Sequence, residues 1–175
     1  MKVVAFTGMP GAGKTEAVNV AKEMGIKVIS MGDEVREEVK RRGLPLNDES
    51  LGSVANEMRE KYGKDIWAIR CLEKVKGNEE IIVIDGIRNI EEVEAFRKKL
   101  KNFILVAIHA SPKTRYERLK KRQREDDSMD EEDLRKRERR ELSWGLGDVI
   151  AMADIVVVNE GDIEDFKKKI KEILS

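Results

Sequence analysis

The strongest constraint on this chain is eight residues near its start. Gly8-Met9-Pro10-Gly11-Ala12-Gly13-Lys14-Thr15 fits the pattern G-x-x-x-x-G-K-[ST] at every fixed position. Lys2–Thr7 (KVVAFT), just before it, is an apolar run of β type, and residues 15–24 carry a helical pattern. A glycine-rich turn between a buried strand and a helix aims backbone N–H groups at an anion, and the helix adds its positive end. The pattern therefore assigns Gly8, Met9, Pro10, Gly11, Ala12 and Gly13 to a phosphate cradle. Lys14 bridges the β- and γ-phosphates and is the first catalytic candidate, while Thr15 offers a hydroxyl to Mg²⁺. The expected ligands are ATP and Mg²⁺.

The rest of the chain repeats the alternation. Strands are expected at Lys27–Ser30, 80–84, Phe103–His109 and 155–159. Helices are expected at 34–42, from Asn47 or Asp48 to 61, from Asp65 to 75, at 91–100, from Ser111 onward, at 131–142 and at 163–174. Gly43, Gly63 and the Gly77-Asn78 turn act as stops. The apolar runs EIIVI and FILVAIH are continuous, as suits strands covered on both faces. Five β-α alternations predict an α/β fold, a parallel sheet between two helical layers, as a single domain over 1–175.

The charged residues, 35 basic and 35 acidic, leave no net charge, so no global field draws the chain to nucleic acid or membrane. No apolar stretch approaches the ~20 residues of a membrane span. A single cysteine, Cys71, excludes an intramolecular disulfide and a cysteine-based zinc cluster. These features, with a start unlike a signal peptide, give the expectation of a cytoplasmic protein.

A phosphate cradle needs a nearby strand-end carboxylate for Mg²⁺. Asp85, in Asp85-Gly86 directly after the third strand, is the leading candidate. Asp33, in Ser30-Met31-Gly32-Asp33, has two readings: general base on an acceptor hydroxyl, or N-cap of the helix at 34–42. Arg88 reads as a bidentate clamp on an acceptor phosphate, or as a solvated arginine at a helix start.

Residues 113–141 are almost entirely charged, and a helical lid is expected over about 113–147, broken at 126–129. Arg115, Arg118, Arg122 and Arg124 lie on its first helix, and Arg135, Arg137, Arg139 and Arg140 on its second. Arginines closing over a transferring phosphoryl group stabilise its charge, and a flap excludes water. Arg118, Arg122 and Arg137 are selected for that role; the remaining arginines, interleaved with acidic residues, read as a solvated face. Trp144-Gly145-Leu146-Gly147 is expected as a hinge or a turn. His109 is expected as a structural histidine, and Trp67 and Cys71 as core or pocket wall.

The cradle, Asp33, Asp85-Gly86-Ile87-Arg88 and Arg118-x-x-x-Arg122 together resemble the nucleoside monophosphate kinase branch of P-loop proteins. The amino-terminal strand–loop–helix, the lid and the stretch Ala153-Asp154-Ile155-Val156-Val157-Val158-Asn159-Glu160-Gly161 look most like dephospho-CoA kinase. More narrowly, the whole chain resembles a mainly archaeal family of dephospho-CoA-kinase-like proteins. The resemblance implies a five-stranded sheet in order 2-3-1-4-5, a lid after strand four, and the backbone of Asn159 to Gly161 beside the adenine. It also implies that Arg118 or Arg122 contacts ATP. No proline precedes Arg88, unlike in adenylate kinases, and dephospho-CoA kinases lack the Asp-Gly-Ile-Arg element, so the acceptor half follows neither enzyme.

The expected function is transfer of the γ-phosphoryl group of Mg-ATP to a small acceptor, a nucleotide or a dephospho-CoA-like molecule, by a monomer or homodimer. Two other classes compete. A GTPase is opposed by Asn159-Glu160-Gly161-Asp162, which puts glutamate where Asn-Lys-x-Asp needs lysine. A nucleotide-gated binding protein, associated with nucleic acid, is opposed by the acidic residues and few aromatics of the lid.

Overall fold

The computed structural model of the protein describes residues 1–126 and 130–175. The expected break in the charged hairpin at 126–129 falls largely outside the described residues, as do the side chains of 123–126. In chain order the elements are β1 (Lys2–Thr7), α1 (Lys14–Glu23), β2 (Lys27–Ser30), α2 (Met31–Arg41), α3 (Asp48–Tyr62), α4 (Ile66–Leu72) and β3 (Ile81–Asp85). They continue with α5 (Ile90–Lys99), β4 (Phe103–His109), α6 (Pro112–Asp126), α7 (Glu131–Ser143), α8 (Leu146–Ala151), β5 (Ile155–Val158) and α9 (Ile163–Leu174).

The strands form one parallel sheet in the order β2-β3-β1-β4-β5. β1 sits at its centre, with Val4 opposite Val83 on one side and Ile104 on the other. Side chains alternate across a strand, so an uninterrupted apolar run feeds two cores at once. Val3, Ala5, Ile82, Ile84 and Leu105 pack on one face with α2 to α5 and α8. Val4, Phe6, Val83, Val106 and Ile108 pack on the other with α1 and α9. This is the three-layer α/β/α arrangement of P-loop kinases, and the strand order places the cradle after β1 beside the ends of β3 and β4.

Caps fix where the helices begin. Asn47 accepts from the Ser50 N–H at the start of α3. Asn89 with Glu92, and Asp130 with Asp133, form capping boxes on α5 and α7. Each cap is worth about 1 kcal/mol.

Most boundaries fall within one residue of expectation, and three regions differ by more. α2 begins at Met31 with Ser30 at its N-cap, so Asp33 lies inside the first turn and is not the cap. α4 ends at Leu72, short of 75. Trp144 and Gly145 form the expected turn, but Leu146 and Gly147 do not continue it: Gly145, at φ 99°, caps the start of the short helix α8, which buries Leu146 and Val149. Six residues are too few to show a helical period in sequence, and a glycine in the left-handed region reads as a turn until the next element is known.

Candidate active site

The cradle is shaped by what surrounds its glycines. A β-carbon on Gly8 would lie 2.7 Å from the Ile108 carbonyl of β4. Gly11, at φ 85°, would bring one within 2.8 Å of the Arg115 carbonyl on α6. Gly13, at φ 112°, is the N-cap of α1, and a β-carbon there would overlap the Asn159 amide. The loop is also pinned from outside. Asn159 Nδ2 donates to the Ala12 carbonyl at 2.9 Å. Arg118 donates to the carbonyls of Gly11 (3.1 Å), Ala12 (3.3 Å) and Asn159 (2.6 Å). These bonds turn the loop's carbonyls outward, toward Arg118 and Asn159, which suits N–H groups facing an anion.

Lys14 Nζ stands 3.1 Å from Asp85 Oδ1. Burial, and the positive charge of Arg88, hold the Lys14 pKa below its usual value, with Asp85 and Glu141 opposing. Asp85 Oδ1 is buried and accepts no well-formed hydrogen bond among the described residues. An oxygen with unused lone pairs beside a phosphate cradle fits a hard cation. Thr15 lines the same cavity. Thr15 and Asp85 are thus the residues that would hold Mg²⁺, which takes its remaining ligands from phosphate oxygens and water. Among the described residues no cluster of three or more His, Cys, Asp or Glu forms an all-protein metal site.

The cavity over the cradle is about 80 Å³ and is bordered by Gly8, Gly13, Lys14, Arg88, Leu119 and Arg122, among others. Ligand sites commonly run from roughly 300 to 1,000 Å³; this cavity is narrower, with Leu119 and Arg122 of α6 on its border.

A second cavity, about 330 Å³, opens beside it between α2, α3 and α7. Val35, Leu46, Leu51 and Ala55 give it an apolar wall. Its other walls carry Arg36, Arg59, Arg88, Arg137 and Arg140. Arg59 is 7 % exposed, and its Nε and Nη1 have no hydrogen-bond partner among the described residues. The carboxylate facing it, Glu92 Oε2, is 3.8 Å away. Glu92 is fully buried; it also accepts from the N–H groups of Arg88 (2.9 Å) and Asn89 (3.1 Å). The guanidiniums of Arg59 and Arg140 pack on the Trp144 ring at 4.7 and 5.4 Å. Arg140 holds Asp48 in a bidentate pair at 2.9 and 3.0 Å.

The structure gathers Gly8 to Thr15, Asp85, Arg88, Arg118, Arg122, Arg137 and Asn159 around the cradle. Two sequence candidates stand apart. Asp33 is exposed and pairs with Arg36 at 2.7 Å, one residue from Gly32 on the second cavity's rim. Gly161 lies in the loop after β5 with open space around it. Arg118 is spent on three backbone carbonyls, and Arg115 on Glu138 (2.8 Å) and the Ala110 carbonyl. His109 is exposed at the end of β4, whereas Trp67 and Cys71 are fully buried. Asp162 caps α9 through the Glu164 N–H, and Glu160 binds Ser111 and Thr114, so neither side chain is free to read a guanine.

Arg59, Arg140, Glu141, Trp144 and Asp48 were not selected from sequence as site residues. Only Arg59 left a signal: it falls in the phase of Val54, Ala55 and Met58 on α3, a charged residue on the buried stripe.

Comparison with known proteins is consistent with this geometry. Residues 7–135 match the model of the AAA domain. A UPF0200 protein of Methanosarcina barkeri is 47 % identical over 177 residues, covering 100 % of this chain and 95 % of the relative. A UPF0200 protein of Methanocaldococcus jannaschii is also 47 % identical, covering 99 % and 89 %. Among solved structures, shikimate kinase from Bacteroides thetaiotaomicron superposes with a TM-score of 0.63 at 16 % identity, covering 99 % of this chain and 98 % of that one. A gluconokinase from Sinorhizobium meliloti gives 0.57 at 15 % identity, covering 97 % and 89 %. These two show the fold alone.

Proposed function

The chain belongs to the UPF0200 family and carries an AAA domain of P-loop kinase-like fold, and from that premise we propose that it is a phosphotransferase. It moves the γ-phosphoryl group of Mg-ATP to a small acceptor that bears an anionic group. The observation that carries this reading is that Arg88, Arg137 and Glu141 line both cavities. A nucleotide in the cradle and an acceptor in the second cavity would therefore meet across those three residues.

Phosphoryl transfer depends on positioning and on countering charge on the equatorial oxygens. Lys14, Arg88, Arg122 and Arg137 supply that countercharge from the loop, the end of β3 and the lid. Mg²⁺ on Thr15 and Asp85 would neutralise further charge between the β- and γ-phosphates. Where the accepting group is a hydroxyl, Asp33, next to Gly32 on the second cavity's rim, takes its proton once the pair with Arg36 opens; a phosphate acceptor is already ionised and needs no base. The lid keeps water from the γ-phosphate. The unpartnered donors of Arg59 suit an anionic group entering the second cavity, and the apolar wall fits a planar or aliphatic body attached to it. Nucleoside monophosphates and dephospho-CoA-like molecules both meet that description.

The test is to incubate the protein with Mg-ATP and a panel of nucleoside monophosphates, deoxynucleotides and dephospho-CoA, with Lys14→Ala alongside. Transfer to one acceptor, absent in the variant, establishes the reaction and its substrate. ATP binding with no transfer to any anionic acceptor rejects it in favour of a nucleotide-gated binder.

A further inference from the structure

Glu141 is the one residue shared by both cavities whose charge opposes the proposed chemistry. It lies on α7, in the lid, yet its side chain is only 7 % exposed. One carboxylate oxygen faces Arg88 Nε at 3.2 Å and the other faces Arg137 Nε at 3.9 Å. Burial alone would push its pKa up; Arg88, Arg137 and Lys14 more than offset that and hold it below the usual value, so it is an anion at neutral pH. Its neighbour Arg140 is locked to Asp48 on α3, across the mouth of the second cavity, which holds this part of α7 down.

The cations around Glu141 are those that the phosphotransferase reading, on which this inference rests, gives to the phosphoryl group and the acceptor. With neither present, Arg88 and Arg137 would be partly buried charges without a counter-ion, an unfavourable state that Glu141 relieves. With a phosphate dianion on the same guanidiniums, a carboxylate within hydrogen-bond reach would be a like charge at close range. The carboxylate and the incoming anion therefore compete for one seat. A neutral acceptor or a water molecule brings no charge with which to displace it.

We infer that Glu141 is a specificity-determining residue: a tethered anion that occupies Arg88 and Arg137 until the acceptor's own anionic group replaces it, so that transfer is reserved for anionic acceptors. Removing its charge frees the seat without filling it.

The test is titration of the full chain with inorganic phosphate by calorimetry at fixed ionic strength, comparing the parent with Glu141→Gln and Glu141→Asp. Glutamine keeps the size and loses the charge; aspartate keeps the charge. Glu141→Gln is expected to bind phosphate about tenfold more tightly or better, given the energy of like charges at this separation in a partly buried site. Glu141→Asp is expected to stay near the parent. Acceptor-free hydrolysis of Mg-ATP is expected to rise in Glu141→Gln and not in Glu141→Asp. A merely structural role would loosen Arg88 and Arg137 in both variants and weaken phosphate binding. The inference is overturned if phosphate binds no more tightly to Glu141→Gln than to the parent, or if the two variants behave alike. Failure of the phosphotransferase reading shows separately, as Mg-ATP binding by the parent with no transfer to any acceptor of the panel.

Discussion

The two halves of the site are built by different means. The nucleotide half is eight consecutive residues whose backbone makes the cradle, held by Asn159 and Arg118 through main-chain carbonyls. The proposed acceptor half is made of side chains from α2, α3 and the loop before it, the segment after β3, and α7 with Trp144 at its end, brought together from separate stretches of the chain. Backbone recognition needs few side-chain types and tolerates variation between the fixed positions. Side-chain recognition depends on buried charges that must be satisfied with or without ligand, here by Glu92 for Arg59 and by Glu141 for Arg88. Change in the first half should therefore cost activity and little stability, and change in the second should cost both.

The largest expected effect is in the nucleotide half. Lys14→Ala should lower turnover roughly a hundredfold to a thousandfold, as loss of one preorganised cation or donor does, while chemical denaturation stays within about 1 kcal/mol of the parent, because burial already disfavours the charge that is removed and the Asp85 side chain keeps partial access to water. If stability collapses along with activity, the proposed contrast fails.

Next comes the buried pair of the acceptor half. Arg59→Met leaves Glu92 without its counter-ion and should cost about 3 kcal/mol in urea unfolding. Mg-ATP affinity should stay within about twofold, and acceptor affinity should fall about tenfold to a hundredfold. Adding Glu92→Gln should restore most of the stability and none of the acceptor affinity. Loss of Mg-ATP binding in Arg59→Met would show that the halves are not separable.

The cradle itself gives a sharper version. Gly11→Ala places a side chain at φ 85° and drives it against the Arg115 carbonyl. It should cost about 1–2 kcal/mol of strain and prevent α6 from seating, measured as weaker Mg-ATP binding and faster proteolysis within 112–143.

The smallest effect is at the rim. Hydrogen bonds from Arg140 hold the Asp48 carboxyl below its usual range. A depressed carboxylate contributes stability above its unfolded pKa and loses it as pH falls through the folded one. Asp48 is mostly exposed, so Asp48→Asn should cost less than about 1 kcal/mol at neutral pH. The difference from the parent should shrink to nothing in acid. A cost that persists in acid would mean that Asp48 acts through packing instead of charge.

The same contrast explains how much was legible in the sequence. Strands β1 to β5 and the cradle came from continuous apolar runs and a fixed motif, and the sheet order came through the resemblance those motifs carry. Asp85 and Arg88 could be singled out because they lie at and just beyond the end of the third apolar run, and Asn159 through the resemblance to dephospho-CoA kinase. Asp33 was equally visible, yet it lies in the first turn of α2 and faces Arg36. α8 escaped notice because six residues span less than two helical turns. In the lid, the arginines of α6 and α7 look alike in sequence, and their distinct partners separate them: Arg115 on Glu138, Arg118 on the cradle's carbonyls, Arg140 on Asp48.

What the sequence determined by itself is local: a backbone loop shaped to take phosphate follows from glycines at fixed spacing between a strand and a helix, because φ/ψ freedom and N–H direction are set within a few residues. What only the tertiary structure decided is which charges are buried together. Glu92 comes to Arg59 from α5, and Glu141 comes to Arg88 from the lid, 53 residues along the chain. The energy of a charge depends on its distance to other charges and on how much water reaches it, and packing sets both quantities.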